Sequence, residues 1–364
     1  MLLDHLSNEL AKFQEVLNQN QRFLVVSHNN PDGDTLGSNL AISMGLKNLG
    51  KQVTSTCYDK IPQKLEFLPE SQNIVQEFLL EDNIQITKII TQPAKPFGRK
   101  KQLLATELKQ FVDSNNLDIP TFECSNSKQI LEILEPGEVE FLVVCDYGVL
   151  LKQAVLDLPS KYCLNVHGSL LPHLRGASPV QMTIYNQDQL AGICVQEMVL
   201  KLDAGPVFMS DSYEVDFTET TPGLIQKLSI MGANILIKTL NQILDENLKP
   251  VEQNASEATF CSKIPKEMGC VNFLEHDAKQ IFAAFRAFIS WPGIYFTHGD
   301  VVYKILDCKI VSDLDLKPGE FSFSKKQMFV GCLNGTLEIL KIQPQGKKEM
   351  DVSSFVAGYK SRFV

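Results

Sequence analysis

Short apolar runs closed by turn-forming residues recur through the first two thirds of the chain: FLVVS at 23–27, QVTSTC at 52–57, IQITKII at 84–90, EFLVVCD at 140–146, CLNV at 163–166 and AGICVQEMV at 191–199. Their length and β-branched content predict strands, and most are separated by stretches of helical length, with amphipathic helices expected over 36–49 and 103–114. Such alternation predicts βα units feeding a mainly parallel sheet. A longer helix is expected from Thr221-Pro222, a hydroxyl cap with proline at the first helical position, because Leu224, Leu228, Met231 and Ile235 recur at helical spacing.

The pattern changes after Leu248-Lys249-Pro250. The polar stretch VEQNASEATF has no strong periodicity and reads as a linker. A helix is expected over 274–289, ending before Trp291-Pro292-Gly293, and short strands over 294–298, 301–311, 327–333 and 336–343, which together predict a small β-barrel.

A length of 364 residues fits two or three domains at roughly 150 residues each. No stretch approaches the ~20 apolar residues of a membrane-spanning helix. The opening MLLDHLSNEL has neither a basic leader nor a long apolar run, and a cytoplasmic protein is expected. Nine scattered cysteines without a CxxC pair fit neither a disulfide framework nor a zinc site and read as reduced thiols. The net charge of −9 argues against a protein that coats nucleic acid non-specifically. From Cys261 onward, however, 14 Lys and Arg face 11 Asp and Glu, so the C-terminal part is where a polyanion would rest.

The segment richest in chemistry is NVHGSLLP, Asn165 to Pro172, which continues through His173-Leu174 into RGASP. On a strand ending near 166, Asn165 and His167 point the same way, at the end where parallel sheets present ligands. An amide donor beside an imidazole suits acyl transfer, in which an oxyanion must be held and protons moved. Asp203, in the turn LDAGP, is on its own an ordinary turn former.

NVHGSLLP, RGASPVQMTIYN and LDAGP taken in order resemble the 10-formyltetrahydrofolate-dependent formyltransferases, and within them the branch acting on methionyl-tRNA. IITQPAKPFGRKKQLLATELKQF resembles that family's second strand and basic loop, VVCDYG a strand end, and SWPGIYF through ILKIQPQGKKEM its C-terminal barrel. The resemblance spans roughly residues 79–364. It implies an α/β fold, a Rossmann-like mainly parallel sheet followed by a small OB-like β-barrel, with a catalytic domain over 79–250, a linker over 251–263 and a tRNA-contacting barrel over 264–364. It also implies Asn165, His167 and Asp203 as the catalytic set, and Ser169, Leu170, Leu171 and Pro172 as the lining of the formyl-folate pocket. The implied co-substrate is 10-formyltetrahydrofolate, the implied partner is initiator methionyl-tRNA, and no metal is implied. Arg99, Lys100 and Lys101 fall in the loop that in the family reaches the tRNA acceptor stem; without that context they read as a solvated face. A monomer is expected.

Two departures from the family stand in the sequence. Asp146-Tyr147-Gly148 has an acid where the family has Ala, and the family's opening strand and GTPxFA-type loop are missing. In their place, QRFLVVSHNNPDGDTLGSNLAISMG resembles the first motif of the DHH phosphoesterases, in which His28, Asp32 and Asp34 would bind manganese. The DHH triplet itself is absent and three ligands are too few for a two-metal site, so residues 1–78 read as a truncated DHH-like βα segment in which residues 23–49 are expected to complete the sheet. The alternatives are a metal-dependent phosphodiesterase acting on short oligonucleotides, or an inactive fusion that keeps RNA or folate affinity.

Overall fold

The computed structural model describes residues 14, 16–27, 33–57, 65, 67–71, 74, 84–97 and 101–363. The chain divides into two units, Met1–Ile86 and Thr87–Val364. In the first, strand β1 (Arg22–Ser27) and strand β2 (Gln52–Cys57) run parallel and are joined by helix α1 (Gly33–Asn48). Leu36 and Leu40, one turn apart on α1, form a small core with Ile74, flanked by the half-buried Leu65 and Leu68. Buried Asn39 donates to Val25 O at 3.1 Å, Thr56 O at 3.4 Å and Ser27 Oγ at 2.9 Å, tying the helix to both strands. Among the described residues β1 pairs with β2 alone. Of the candidate manganese ligands, His28 and Asp32 lie outside the described residues, and Asp34 occupies the first turn of α1.

The second unit opens with three short strands, β3 (Ile89–Thr91), β4 (Lys95–Phe97) and β5 (Gln102–Leu104), then helix α2 (Glu107–Ser114), strand β6 (Thr121–Glu123) and helix α3 (Ser127–Leu131). Two expectations are corrected here. The strand expected over 84–90 is confined to β3, because its parallel partner β6 offers only three residues to pair with. The helix expected over 103–114 begins at Glu107: Thr106 caps it by accepting from Lys109 N, while Leu103 and Leu104, exposed, pair in a hairpin with β4.

The site is carried by strand β7 (Phe141–Val144), helix α4 (Gln153–Leu156), strand β8 (Tyr162–His167), strand β9 (Arg175–Gly176), helix α5 (Pro179–Tyr185), strands β10 (Leu190–Glu197) and β11 (Val207–Glu214), and helix α6 (Thr221–Leu244). Four of these strands form a sheet in the order β11-β10-β8-β7, with β7 and β8 parallel and β10 and β11 antiparallel to their neighbours. Ile130, Leu134, Val155 and Leu158 pack beneath it. Helix α6 is capped by Thr220 rather than Thr221, whose hydroxyl instead donates to Ala287 O at 2.7 Å. Gly232 brings α6 close to the sheet: a Cβ there would lie 3.1 Å from Val166 and 3.2 Å from Ile193. Val166 thus faces the helix, and its neighbours Asn165 and His167 face the other side of β8.

The remaining elements are strand β12 (Phe260–Cys261), helix α7 (Ala278–Ala287), strands β13 (Ile294–His298), β14 (Val301–Val311), β15 (Phe321–Phe323), β16 (Met328–Gly331), β17 (Thr336–Pro344) and β18 (Met350–Asp351), and helix α8 (Val352–Tyr359). Six strands make one antiparallel sheet in the order β13-β14-β17-β16-β15, with β18 on β17. Among the described residues no backbone ladder joins β13 to β15. Aromatic rings close the seam instead: Phe296 of β13 lies 5.9 Å from Phe321 of β15, and Phe363 lies 4.9 Å from Phe321 and 5.2 Å from Tyr303. This domain rests on the preceding one through Tyr185 stacked on Phe288 at 5.1 Å and through buried Arg286, which donates to Glu219 O at 2.9 Å.

Candidate active site

Strand β8 places Asn165 and His167 on one face at its C-terminal end, as the two-residue period requires. Antiparallel pairing with β10 sets Gln196 opposite Asn165 and Cys194 opposite His167. His167 is buried, with Nε2 3.1 Å from Leu174 O and Nδ1 3.8 Å from Asp203 Oδ1. A carbonyl oxygen only accepts, so Nε2 carries a hydrogen and Nδ1 is the nitrogen turned toward the carboxylate. Asp203 is fixed from two sides: Gly176 N donates to its Oδ2 at 2.8 Å and Gln196 Nε2 to its Oδ1 at 3.1 Å. The Asn165 amide, half-buried, has no hydrogen-bond partner among the described residues, which leaves its donor free for a ligand.

The structure therefore brings together the three residues expected to be catalytic, which lie up to 38 positions apart in sequence. Of the expected pocket loop, Ser169 is buried with its hydroxyl committed to His173 O at 2.6 Å, and its carbonyl accepts from Cys194 Sγ at 2.9 Å. The Leu170 side chain packs over Gly192 of β10, where a Cβ would come within 2.3 Å of it. Leu171 and Pro172 are half-buried. Burial pushes the Cys194 thiol up to about 11, so the thiol beside His167 stays protonated and is no nucleophile. At the end of β7, Asp146 adopts a φ of +43°, and its carboxyl is raised by burial and then by Glu107. Arg99 and Lys100 lie outside the described residues; Lys101 is exposed at the turn of the β4–β5 hairpin.

Gln196, Arg175 and Gln253 were not evident from sequence. Arg175, only 2% exposed, donates from Nε and Nη2 to Gln253 Oε1 at 3.1 and 2.7 Å. The one signal for Gln196 is its spacing of seven residues before Asp203 on a strand already expected.

The formyl transferase family model matches residues 70–240 and the formyl transferase C-terminal domain model matches 263–360. The methionyl-tRNA formyltransferase of Helicobacter pylori strain J99 is 36% identical over 299 residues, covering 80% of this chain and 94% of the relative. The chain belongs to the methionyl-tRNA formyltransferase family. A second relative of that name, from Nitratiruptor sp., is 33% identical over 292 residues, with 80% of this chain and 94% of the relative covered. The family's reaction class is formyl transfer. Among solved structures, HypX from Aquifex aeolicus in complex with tetrahydrofolic acid shares the fold, with a TM-score of 0.52 at 15% identity over 75% of this chain; the match spans about half of HypX, 47% of its length.

Proposed function

We propose that the chain transfers the formyl group of 10-formyltetrahydrofolate to the α-amine of initiator methionyl-tRNA. The observation that carries this reading is the convergence of Asn165, His167 and Asp203 at the end of β8 in a chain of this family. The amine attacks the formyl carbon, a new C–N bond forms, the bond to N10 of the folate breaks, and the proton lost by the amine ends on N10. Asn165, with its free amide, donates to the oxyanion of the tetrahedral intermediate. His167, whose Nε2 hydrogen is committed to Leu174 O, takes the amine's proton at Nδ1 and only then, as imidazolium, helps hold the oxyanion; Asp203 steadies that imidazolium or relays the proton through water. Leu171 and Pro172 offer apolar surface to the folate ring, with Ser169 and Leu170 holding their loop in place.

Initiator methionyl-tRNA would lie along basic surface. Lys266, Lys304, Lys347 and Lys348 line a groove of about 490 Å³ on the C-terminal domain with Tyr295 and Gln343, a concentration of positive charge of the kind that attracts phosphates. Arg99, Lys100 and Lys101 are the proposed contacts from the catalytic domain. Residues 1–78 are read as a truncated DHH-like segment that supplies scaffold rather than chemistry; the chain is expected to release no mononucleotides from a short RNA with manganese, and release abolished by Asp32→Ala would refute this.

The decisive experiment is single-turnover formylation of charged initiator tRNA. Asn165→Ala and His167→Ala are each expected to slow it by ~10²- to 10³-fold with the fold intact. Wild-type rates in both variants would end the proposal.

A further inference from the structure

The stretch that reads as a linker in the sequence is stitched down on both sides of Gln253, to the start of β11 before it and to the active-site loop after it. Before it, Val251 and Val207 exchange two backbone bonds of 2.8 Å. After it, Thr259 Oγ1 accepts from Leu174 N at 2.8 Å, Thr259 O from Arg175 N at 2.9 Å and Cys261 O from Ala177 N at 3.0 Å, so that β12 runs parallel to β9. Between these anchors the Gln253 carboxamide uses both of its ends. Its Nε2 donates to Asp203 O at 3.0 Å and Gly205 O at 2.6 Å, with Gln196 Oε1 at 3.4 Å. Its Oε1 accepts from Arg175 Nε and Nη2.

We propose that Gln253 is a positioning residue for formyl transfer, tying the backbone of the Asp203 turn to the Arg175 loop and so setting the distance between Asp203 and His167. The proposal rests on reading Asn165, His167 and Asp203 as the catalytic set. Asp203 has a φ of +45°, a conformation that a side chain disfavours and that its surroundings must enforce. Gly205, two residues on in that turn, fits so closely that a Cβ would lie 1.8 Å from Glu197 O. The carbonyls on either side of Ala204 both converge on the one donor from Gln253. The partner loop holds both catalytic side chains, His167 through Leu174 O and Asp203 through Gly176 N. Slackening the bridge between turn and loop therefore lets the carboxylate and the imidazole drift relative to each other, and misalignment at this scale lowers the rate of the chemical step rather than substrate binding.

Two replacements separate the halves of the bridge. Gln253→Glu keeps an acceptor for Arg175, now charged and stronger, and removes both donors to the carbonyls; Gln253→Met keeps the length and removes all polar atoms. In the full chain, Gln253→Glu is expected to melt within a few degrees of wild type, to lower kcat about 10-fold or more, to leave KM for tRNA and for the formyl donor within about twofold, and to displace the pH–rate profile. On an Asp203→Asn background the same replacement should cost less than about twofold, because the two residues act through one group. Where Gln253→Met fails to fold, Gln253→Glu decides. Wild-type kcat in Gln253→Glu, a change confined to KM, or an undiminished loss on the Asp203→Asn background overturns the proposal alone. A wild-type rate in Asp203→Asn overturns the catalytic reading beneath it, and this inference with it.

Discussion

Asp146 shows how a single side chain can set a pH dependence. Although the residue is exposed, its carboxyl is raised above the ordinary range, first by partial desolvation and then by Glu107, so the folded state holds that proton somewhat more tightly than the unfolded chain does. Stability then falls as pH rises from the ordinary carboxylate range through the raised value, because the folded protein must give up a proton it favours. Asp146→Asn removes the titration. Its melting temperature should exceed that of wild type at about pH 8, and the margin should shrink toward about pH 4; a margin independent of pH in calorimetric scans would count against this account. At this scale the placing of Asn165 and His167 on one face was legible in the sequence because it needs only the period of one strand. Gln196 was hidden because its place beside Asp203 comes from the antiparallel register of β10 on β8. The Arg175–Gln253 bond joins residues 78 positions apart, and no local pattern announces it.

Whole elements were readable where a capping residue and an apolar face agree. Helix α7 has both: Asp277 accepts from Gln280 N, the Gln280 side chain returns the bond to the Asp277 backbone, and Ile281, Ala284 and Phe288 are buried. Asp277→Ala should cost about 1 kcal/mol of stability, read as a lower urea midpoint at unchanged slope. Loss of less than a few tenths would show that packing alone starts the helix. Where the two signals disagreed, the sequence misled. Leu103 and Leu104 carry apolar character into a solvent-facing hairpin, and Thr106 starts α2 behind them. Helix α8 went unseen, its buried face being only Val352, Phe355 and Val356 within eight residues.

Across the whole chain, the succession of an α/β part and an antiparallel domain follows from the change in hydrophobic period near Pro250, and both were expected. What patterning could not disclose is that residues 251–261 belong to the active-site loop as much as to either domain, since their polar side chains act by pairing and not by periodicity. The charge division does carry a consequence for binding. Replacing Lys304, Lys347 and Lys348 together with Ala should flatten the dependence of log K on log salt for tRNA by roughly one unit for each phosphate left without its lysine, with little change in single-turnover rate at saturating tRNA. A salt slope equal to that of wild type would return these lysines to ordinary solvated surface.

The seam of the C-terminal sheet has a property that no ladder of backbone hydrogen bonds would give it. Phe296, Phe321 and Phe363 hold β13 against β15 by the touching of their rings. The free energy of that closure comes from water released by apolar surface, which near ambient temperature is entropic and weakens as the solution cools. The apolar contacts buried along the paired strands weaken in the same direction, but those strands keep their hydrogen bonds, so chilling leaves them in register while loosening the line along which the cylinder is shut. In the cold, the first opening of this domain is a parting along its aromatic edge.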